Sequence, residues 1–207
     1  MINKRAYLSS PCKTASIPYW KAKTITIPDS MQILHQDDYR EIEYPQYIDE
    51  PYFRLSHNLQ EILTPVLPRG YSLCRAMLRD YAAHINGCYD SIHITEAELR
   101  SYTTRPVYDP ALWLAVQDDQ TGQIAATGIA ELDREIGEGI LEWIQVSKDH
   151  CGRGLGSYIV SELLWRMKGI ASFATVSGQC ANPANPEALY RKCGFTGSDV
   201  WHILRKG

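Results

Sequence analysis

Hydrophobic and polar positions follow a regular pattern in the last two thirds of the chain. Apolar residues recur at helical spacing over 78–85 and 154–167. Thr95 followed by Glu98 has the spacing of a capping box, which predicts another helix start. A shorter helix is predicted over 185–193, because its first residue is asparagine, a good helix cap, and a glycine follows its last residue.

Apolar runs between these helices predict strands that first follow one another and later alternate with helices. Turn-forming residues at 118–122 indicate a hairpin between two of the strands. This order of elements is typical of a mixed α/β sheet. The predicted strands are 71–76, 112–116, 124–132, 140–146, 172–177 and 199–204.

The first 65 residues differ from the rest of the chain. They contain six prolines and many tyrosines, and prolines at this density exclude long helices. We expect short strands there, at 23–27, 31–35 and 52–57. We therefore divide the chain into an N-terminal extension, 1–65, and a domain, 66–207.

Composition excludes several classes of protein. The net charge is −3, without the basic stripe of a nucleic-acid-binding protein. No apolar run approaches the ~20 residues that a membrane helix needs, and the first ten residues lack the apolar core of a signal peptide. The six cysteines and six histidines form no metal-ligand pattern. We expect a cytoplasmic protein with free thiols, no metal, no membrane contact and no nucleic-acid partner.

A glycine-rich turn between the strand at 140–146 and the next helix predicts an anion site. Gly152, Gly154 and Gly156 alternate with other residues, so the backbone can point successive amides at one spot. The helix start adds unpaired N–H groups and the positive end of its dipole. Ser157 and the residue after it fit neither the P-loop nor the GxGxxG pattern. A tight turn without a ligand is the alternative.

Two motifs carry a resemblance to a known family. The segment Cys151-Gly152-Arg153-Gly154-Leu155-Gly156 resembles the Q/R-x-x-G-x-G/A motif of the GNAT superfamily of N-acetyltransferases. It matches at both glycine positions and departs at the first, where Cys151 replaces Arg or Gln. Downstream, 185–195 resembles the family's short fourth helix, which usually ends LYxKxGF. The chain as a whole is similar to little-characterised bacterial members with an N-terminal extension.

The resemblance implies the GNAT fold, a central, mostly antiparallel sheet flanked by helices, in which the fourth strand bulges and splays from the fifth. It also implies acetyl-CoA as cosubstrate, its pyrophosphate held by backbone amides of the glycine turn and its thioester by N–H groups of the fourth strand. Asn182 and Asn185 flank Pro183, which occupies the position of the family's usual asparagine. The residues implied to bind acetyl-CoA are Ile144, Gln145, Val146, Cys151, Gly152, Arg153, Gly154, Leu155, Gly156 and Ser157, with Asn182 and Asn185 as further candidates.

Acetyl transfer to an amine requires a base, because a lysine-like amine has a pKa of about 10.4. Regular alternation along 140–146 makes Glu142 the polar residue on a face shared with Ile140, Ile144 and Val146. Aliphatic surroundings raise the pKa of a carboxyl group, so Glu142 is the candidate base. Glu131 and Asp133 on the preceding strand are the reserve candidates. An ion pair with a neighbouring strand is the alternative.

Tyr190 is the candidate general acid for the departing CoA thiolate. A free tyrosine has a pKa of about 10, above the ~8.5 of a thiol, and therefore holds a proton to give. The tyrosine of the LYxKxGF motif has this role in the resembled family. Outside that context, a tyrosine on a short helix is more often part of the core.

The sequence thus favours an N-acetyltransferase that uses acetyl-CoA and a small-molecule or peptide amine. A non-catalytic CoA-binding or regulatory domain of the same fold is the second hypothesis, and a nucleotide-binding module is the third. An acidic run at 37–50 is either a solvated loop or a rim that attracts a cationic amine. The extension is expected to cover the acceptor side or to form a homodimer contact.

Overall fold

The computed structural model describes residues 2–90 and 92–206. Its chain contacts divide it into two compact units. The first unit runs to His57 and also contains Thr175–Arg191 and the chain from Phe195 onward. The second contains Asn58–Ala174 and Lys192–Gly194. The segment before residue 58 therefore shares a unit with C-terminal elements, while the predicted division at 65/66 stays a prediction.

Helices and strands come in runs over the first two thirds of the described chain and alternate singly after that. The strands are β1 Met31–His35, β2 Tyr47–His57, β3 Tyr71–Cys74, β4 Trp113–Asp118, β5 Ile124–Asp133, β6 Glu138–Val146, β7 Phe173–Gln179 and β8 Thr196–Lys206. The helices are α1 Lys4–Ser9, α2 Pro11–Thr14, α3 Tyr19–Ala22, α4 Leu78–Cys88, α5 Glu96–Tyr102, α6 Leu155–Met167 and α7 Pro186–Lys192.

The first unit is built on strands in the order β1–β8–β2–β7. β8 pairs antiparallel with β1 on one side and with β2 on the other. The short N-terminal helices pack on these strands: the buried guanidinium of Arg54 donates to the Tyr7 hydroxyl at 2.8 Å. The Trp201 indole N–H donates to the carbonyl oxygen of Cys12 at 2.7 Å. The N-terminal segment is thus an integral part of this unit.

Two expectations for the N-terminal segment need correction. Residues 23–27 form no strand, and three short helices precede β1. Pro11 is the first residue of α2 and Pro18 caps α3, positions at which proline is tolerated because the missing N–H has no helical partner there. Prolines therefore exclude long helices here but allow short ones. β2 also begins before Pro51, whose carbonyl accepts from the Cys180 amide at 2.9 Å.

The second unit has the strand order β6–β5–β4–β3, and each of these neighbouring pairs is antiparallel. α4 and α5 bury Ile85 and Leu99 against Ile129 on one face. α6 packs on the other face, where a Cβ atom at Gly128 or Gly139 would collide with α6 side chains. Helices flanking antiparallel strands confirm the predicted mixed α/β fold, and the splay between the fourth and fifth core strands stays a prediction.

Several local predictions are confirmed. Thr95 and Glu98 form the capping box of α5, with the Glu98 amide 3.1 Å from the Thr95 hydroxyl. The Asn185 side chain accepts from the Ala188 amide at 3.3 Å at the start of α7. Gly194 follows α7 with a φ of +95°, a left-handed conformation that glycine adopts without strain.

Candidate active site

The glycine turn joins β6 to α6 within the second unit. One turn of 3₁₀ helix covers Lys148–His150, and residues 151–154 are exposed. Gly152 and Gly154 have φ angles of +75° and +87°. Residues with a Cβ atom rarely adopt these angles, so the turn requires glycine at both positions.

The N-terminus of α6 presents backbone donors to solvent. The first bond within the helix runs from the Tyr158 amide to the Gly154 carbonyl at 3.0 Å. The amides of Leu155, Gly156 and Ser157 lie before that bond, and no side chain of the described residues caps the helix. α4, α5 and α7 have an acidic residue in the first turn, but α6 has none. Uncompensated N–H groups and the helix dipole therefore favour an anion here.

His150 connects the glycine turn to the last residue of β4. His150 lies 2.8 Å from the Ser147 hydroxyl and 3.3 Å from a carboxylate oxygen of Asp118. The amides of Thr121 and Gln120 lower the pKa of Asp118, with a smaller contribution from His150. Sequence reasoning missed this support, because its members are brought together only by the fold.

Arg153 and Cys151 are the two exposed side chains of the predicted cofactor motif. The guanidinium of Arg153 donates to the Tyr71 hydroxyl at 2.9 Å, and the Tyr71 ring packs edge-on against His150 at 5.7 Å. Cys151 Sγ lies 3.5 Å from the carbonyl oxygen of Ser147. Arg153 is thus held at the turn with its charge exposed to solvent.

A β-bulge interrupts β6 at Glu142. Ile129 of β5 pairs with Trp143 and the next residue, Ala130, pairs with Leu141. Glu142 is therefore the extra residue of the bulge, which leaves its position outside the ladder. Its side chain is half-buried.

The bulge changes which side chains of β6 share a face. Gly139 faces Met167 of α6, and Ile144 lies close to the Cβ position of Gly128, which also faces α6. Residues five apart in a regular strand point to opposite faces, but the extra residue puts Gly139 and Ile144 on the same one. Ile140 therefore points away from α6, and the prediction that Ile140 and Ile144 share a face is wrong.

The one polar side chain among Ile144, Gln145 and Val146 at the end of β6 is buried. Gln145 is buried, and its amide nitrogen donates to the Thr127 hydroxyl. His84 of α4 approaches the same hydroxyl at 2.9 Å, and burial lowers the pKa of His84 to about 4. The Gln145 side chain is therefore committed to the interior of the unit, whereas Ile144 and Val146 are half-buried.

Tyr190, Asn182 and Asn185 lie in the first unit. Tyr190 is 6% exposed and its ring packs against Phe53 and Phe195 at 6.2 and 5.8 Å. The Phe195 amide donates to the Tyr190 carbonyl at 3.1 Å, which closes the end of α7. The side-chain oxygens of Asn182 and Asn185 each accept from a nearby backbone amide. Their side-chain amide nitrogens are the groups that could donate to a ligand.

A cavity of about 210 Å³ adjoins Trp143 in the second unit. Its lining includes His93, Glu98 and Tyr102 from the loop after α4 and from α5. The indole nitrogen of Trp143 is buried and has no hydrogen-bond partner among the described residues. Trp143 follows Glu142 in the chain. The sequence pattern predicted it only as a strand residue and gave it no function.

Within residues 2–90 and 92–206, no helix is long and apolar enough to span a bilayer. In the same ranges, no group of three or more histidine, cysteine or acidic side chains is arranged to hold a metal ion.

Comparisons with known proteins agree with this fold. Residues 109–197 match the family model of the acetyltransferase (GNAT) domain. The matched segment covers less than half of the chain and includes Glu142, the glycine turn and Tyr190. No protein of curated function matches the chain.

Solved structures of similar fold include several GNAT proteins. A GCN5-related N-acetyltransferase from Sphaerobacter thermophilus aligns with a TM-score of 0.67 at 18% identity, over 86% of this chain and 60% of its own. One from Kribbella flavida aligns with a TM-score of 0.51 at 18% identity, over 86% and 61%. A GNAT-family acetyltransferase from Novosphingobium aromaticivorans gives 0.55 at 11% identity, over 88% and 70%. The chain thus spans about three fifths of the length of the first two proteins. At such low sequence identities, the similarity shows a shared fold and nothing more.

Proposed function

We propose that this protein is an N-acetyltransferase that moves the acetyl group of acetyl-CoA to an amine by direct attack. The observation that carries the proposal is the uncapped start of α6 behind two left-handed glycines. GNAT acetyltransferases use acetyl-CoA and act on amine acceptors, and the matched domain includes this turn.

The backbone of the turn suits a pyrophosphate. The amides of residues 155–157 precede the first bond within α6, and Arg153 adds an exposed positive charge. Several N–H donors directed at one anion give charge-assisted hydrogen bonds, which are roughly twice as strong as neutral ones. Cys151 in place of the family's Arg or Gln leaves these backbone donors intact.

Glu142 is the proposed base. Its place in a β-bulge takes it out of the regular ladder, and bulges often redirect a side chain next to an active site. The carboxylate takes a proton from the acceptor amine, directly or through water, and the neutral nitrogen then attacks the thioester carbon. Ion pairing with a basic group is the competing role of Glu142.

Tyr190 is the proposed acid. As the carbon–sulfur bond breaks, the phenol gives its proton to the sulfur, and the acetyl group stays on the amine nitrogen. Burial of Tyr190 against two phenylalanine rings fixes the direction of its side chain. A fixed donor is worth about 10²–10⁴-fold in rate for a general acid.

The cavity at Trp143 is the proposed acceptor pocket. It lies beside the residue that follows the proposed base, and Glu98 brings a carboxylate that suits a cationic amine. The Glu98 carboxylate accepts hydrogen bonds from the backbone amide and the hydroxyl of Thr95, which lower its pKa. This carboxylate is therefore charged at neutral pH.

Release of CoA thiol from acetyl-CoA across a panel of amines tests the proposal. The panel contains a polyamine, an aminoglycoside, a lysine peptide and an N-terminal peptide amine. Thiol release that depends on an amine supports the proposal. Tight binding of acetyl-CoA without thiol release for any amine would instead support a non-catalytic CoA-binding domain.

A further inference from the structure

A second, larger cavity of about 550 Å³ lies in the second unit. We call it the aromatic pocket. It is formed where β3 ends, where α4 and α5 begin and where β4 begins. The lining residues used below are Arg75, Tyr81, Glu96, Arg100, Tyr108 and Trp113.

The aromatic pocket is distinct from the glycine turn. Cys74, which lines the pocket, ends β3, whereas Tyr71 at the start of β3 contacts the turn through Arg153. Trp113 begins β4, whereas Asp118 at its end contacts His150. A strand of six residues spans about 17 Å, so the two sites lie at opposite ends of β4.

Three aromatic rings form the apolar part of the pocket. Tyr81 and Tyr108 pack nearly perpendicular to Trp113, with ring centroids at 5.3 and 5.8 Å. The indole nitrogen of Trp113 is buried and has no hydrogen-bond partner among the described residues. This N–H is enclosed by the protein, so Trp113 lines the pocket with its ring.

The polar lining is positively charged. Its charged residues are Arg75, Arg100 and Glu96. Glu96 forms an ion pair with Arg100, so the charge of Arg75 remains in excess. Burial raises the pKa values of Tyr81 and Cys74, which keeps both side chains neutral. An arginine beside aromatic rings suits a carboxylate on a flat apolar group.

We propose that the aromatic pocket binds a small carboxylate that carries an aromatic ring. The ring packs against Tyr81, Tyr108 and Trp113. The carboxylate pairs with Arg75. This site is separate from acetyl transfer and does not depend on the proposed function.

Nuclear magnetic resonance of the isotope-labelled full chain tests the proposal with phenylacetate, benzoate and indole-3-acetate as probes. Phenylacetamide, which has the shape of phenylacetate without its charge, is the matched neutral control. We expect at least one carboxylate to bind with a Kd on the order of 1 mM or tighter. It should shift the indole N–H signal of Trp113, identified with Trp113→Phe, and leave that of Trp143 in place. Phenylacetamide should bind about tenfold more weakly.

Substitution of the charged partner separates binding from folding. Arg75 is exposed, so Arg75→Gln should fold normally and weaken the carboxylate about tenfold. Arg69→Gln removes an exposed arginine outside the pocket and should leave binding unchanged. Failure of all three carboxylates to shift the Trp113 signal would overturn the proposal. Equal binding of phenylacetate and phenylacetamide, or equal effects of the two arginine variants, would also overturn it.

Discussion

The anion site at α6 makes a prediction in which stability and binding change in opposite directions. Ser157 is the third residue of α6, and the first turn of that helix has no acidic residue. In Ser157→Asp, the new carboxylate lies near the positive end of the helix dipole and stabilises the free protein. The same carboxylate repels the pyrophosphate of acetyl-CoA. Ser157→Asn has nearly the same shape without the charge and is the matched control.

The size of both effects follows from simple electrostatics. A carboxylate in the first turn of an exposed helix contributes about 0.3–1 kcal/mol, which raises the Tm of a chain of this length by about 1–4 °C. A charge about 6 Å from a pyrophosphate with two charges is repelled by about 1.4 kcal/mol even at the dielectric constant of water. That energy corresponds to about a tenfold increase in Kd, and a lower local dielectric constant enlarges it.

Isothermal titration with acetyl-CoA and thermal unfolding of the free protein measure the two effects. Relative to Ser157→Asn, Ser157→Asp should unfold at a higher temperature and bind acetyl-CoA about tenfold more weakly. Added salt should narrow the difference in affinity, because it screens the repulsion. Equal affinities of the two variants at low salt would refute the placement of the pyrophosphate at this helix.

Four further predictions test other parts of the molecule. Tyr190→Phe should lower kcat about 100-fold with little change in the KM for acetyl-CoA. Tyr158 is equally buried, at 6% exposure, and Tyr158→Phe should leave kcat unchanged. Full turnover of Tyr190→Phe would show that Tyr190 is not the general acid. Glu142→Gln should lower turnover across pH 6 to 9 by about 100-fold, and an unchanged pH–rate profile would contradict its role as base. Burial lowers the pKa of His84 from 6.5 to about 4, so protonation of His84 favours the unfolded chain and the Tm should fall as the pH decreases from 6.5 to 4. His84→Gln should make this fall in Tm shallower, and an equally steep fall would contradict the role of His84. A fragment that begins at Asn58 lacks both partners of β8 and should give no cooperative unfolding transition, so a sharp transition near that of the full chain would show that the N-terminal segment is dispensable.

Features set by neighbouring residues could be predicted from the sequence. The capping box of α5, the cap and terminal glycine of α7 and the glycines of the turn all depend on residues within a few positions of one another. Pattern and spacing therefore predicted α6, α7 and the strands of the second unit, with errors of a few residues at their ends. The same local logic excluded long helices before residue 65.

Features that depend on distant partners could not be predicted. The resemblance implied a bulge in this strand but not its position, which only the register of β5 with β6 places at Glu142. The bulge puts Ile140 and Ile144 on opposite faces, whereas regular alternation assigned them to one face. The support of the glycine turn by Asp118 and His150 joins residues 32 positions apart. The short N-terminal helices are too brief for periodicity to reveal, and packing on Arg54 and Trp201 fixes them.

Thiol release by the full chain with acetyl-CoA and the amine panel is the decisive measurement for acetyl transfer. At least one amine should accelerate release above the rate of acetyl-CoA hydrolysis. Tyr190→Phe should remove most of this acceleration, while Tyr158→Phe should retain it. Release that no amine accelerates, from a protein that still binds acetyl-CoA, would show that the protein does not transfer the acetyl group to these amines.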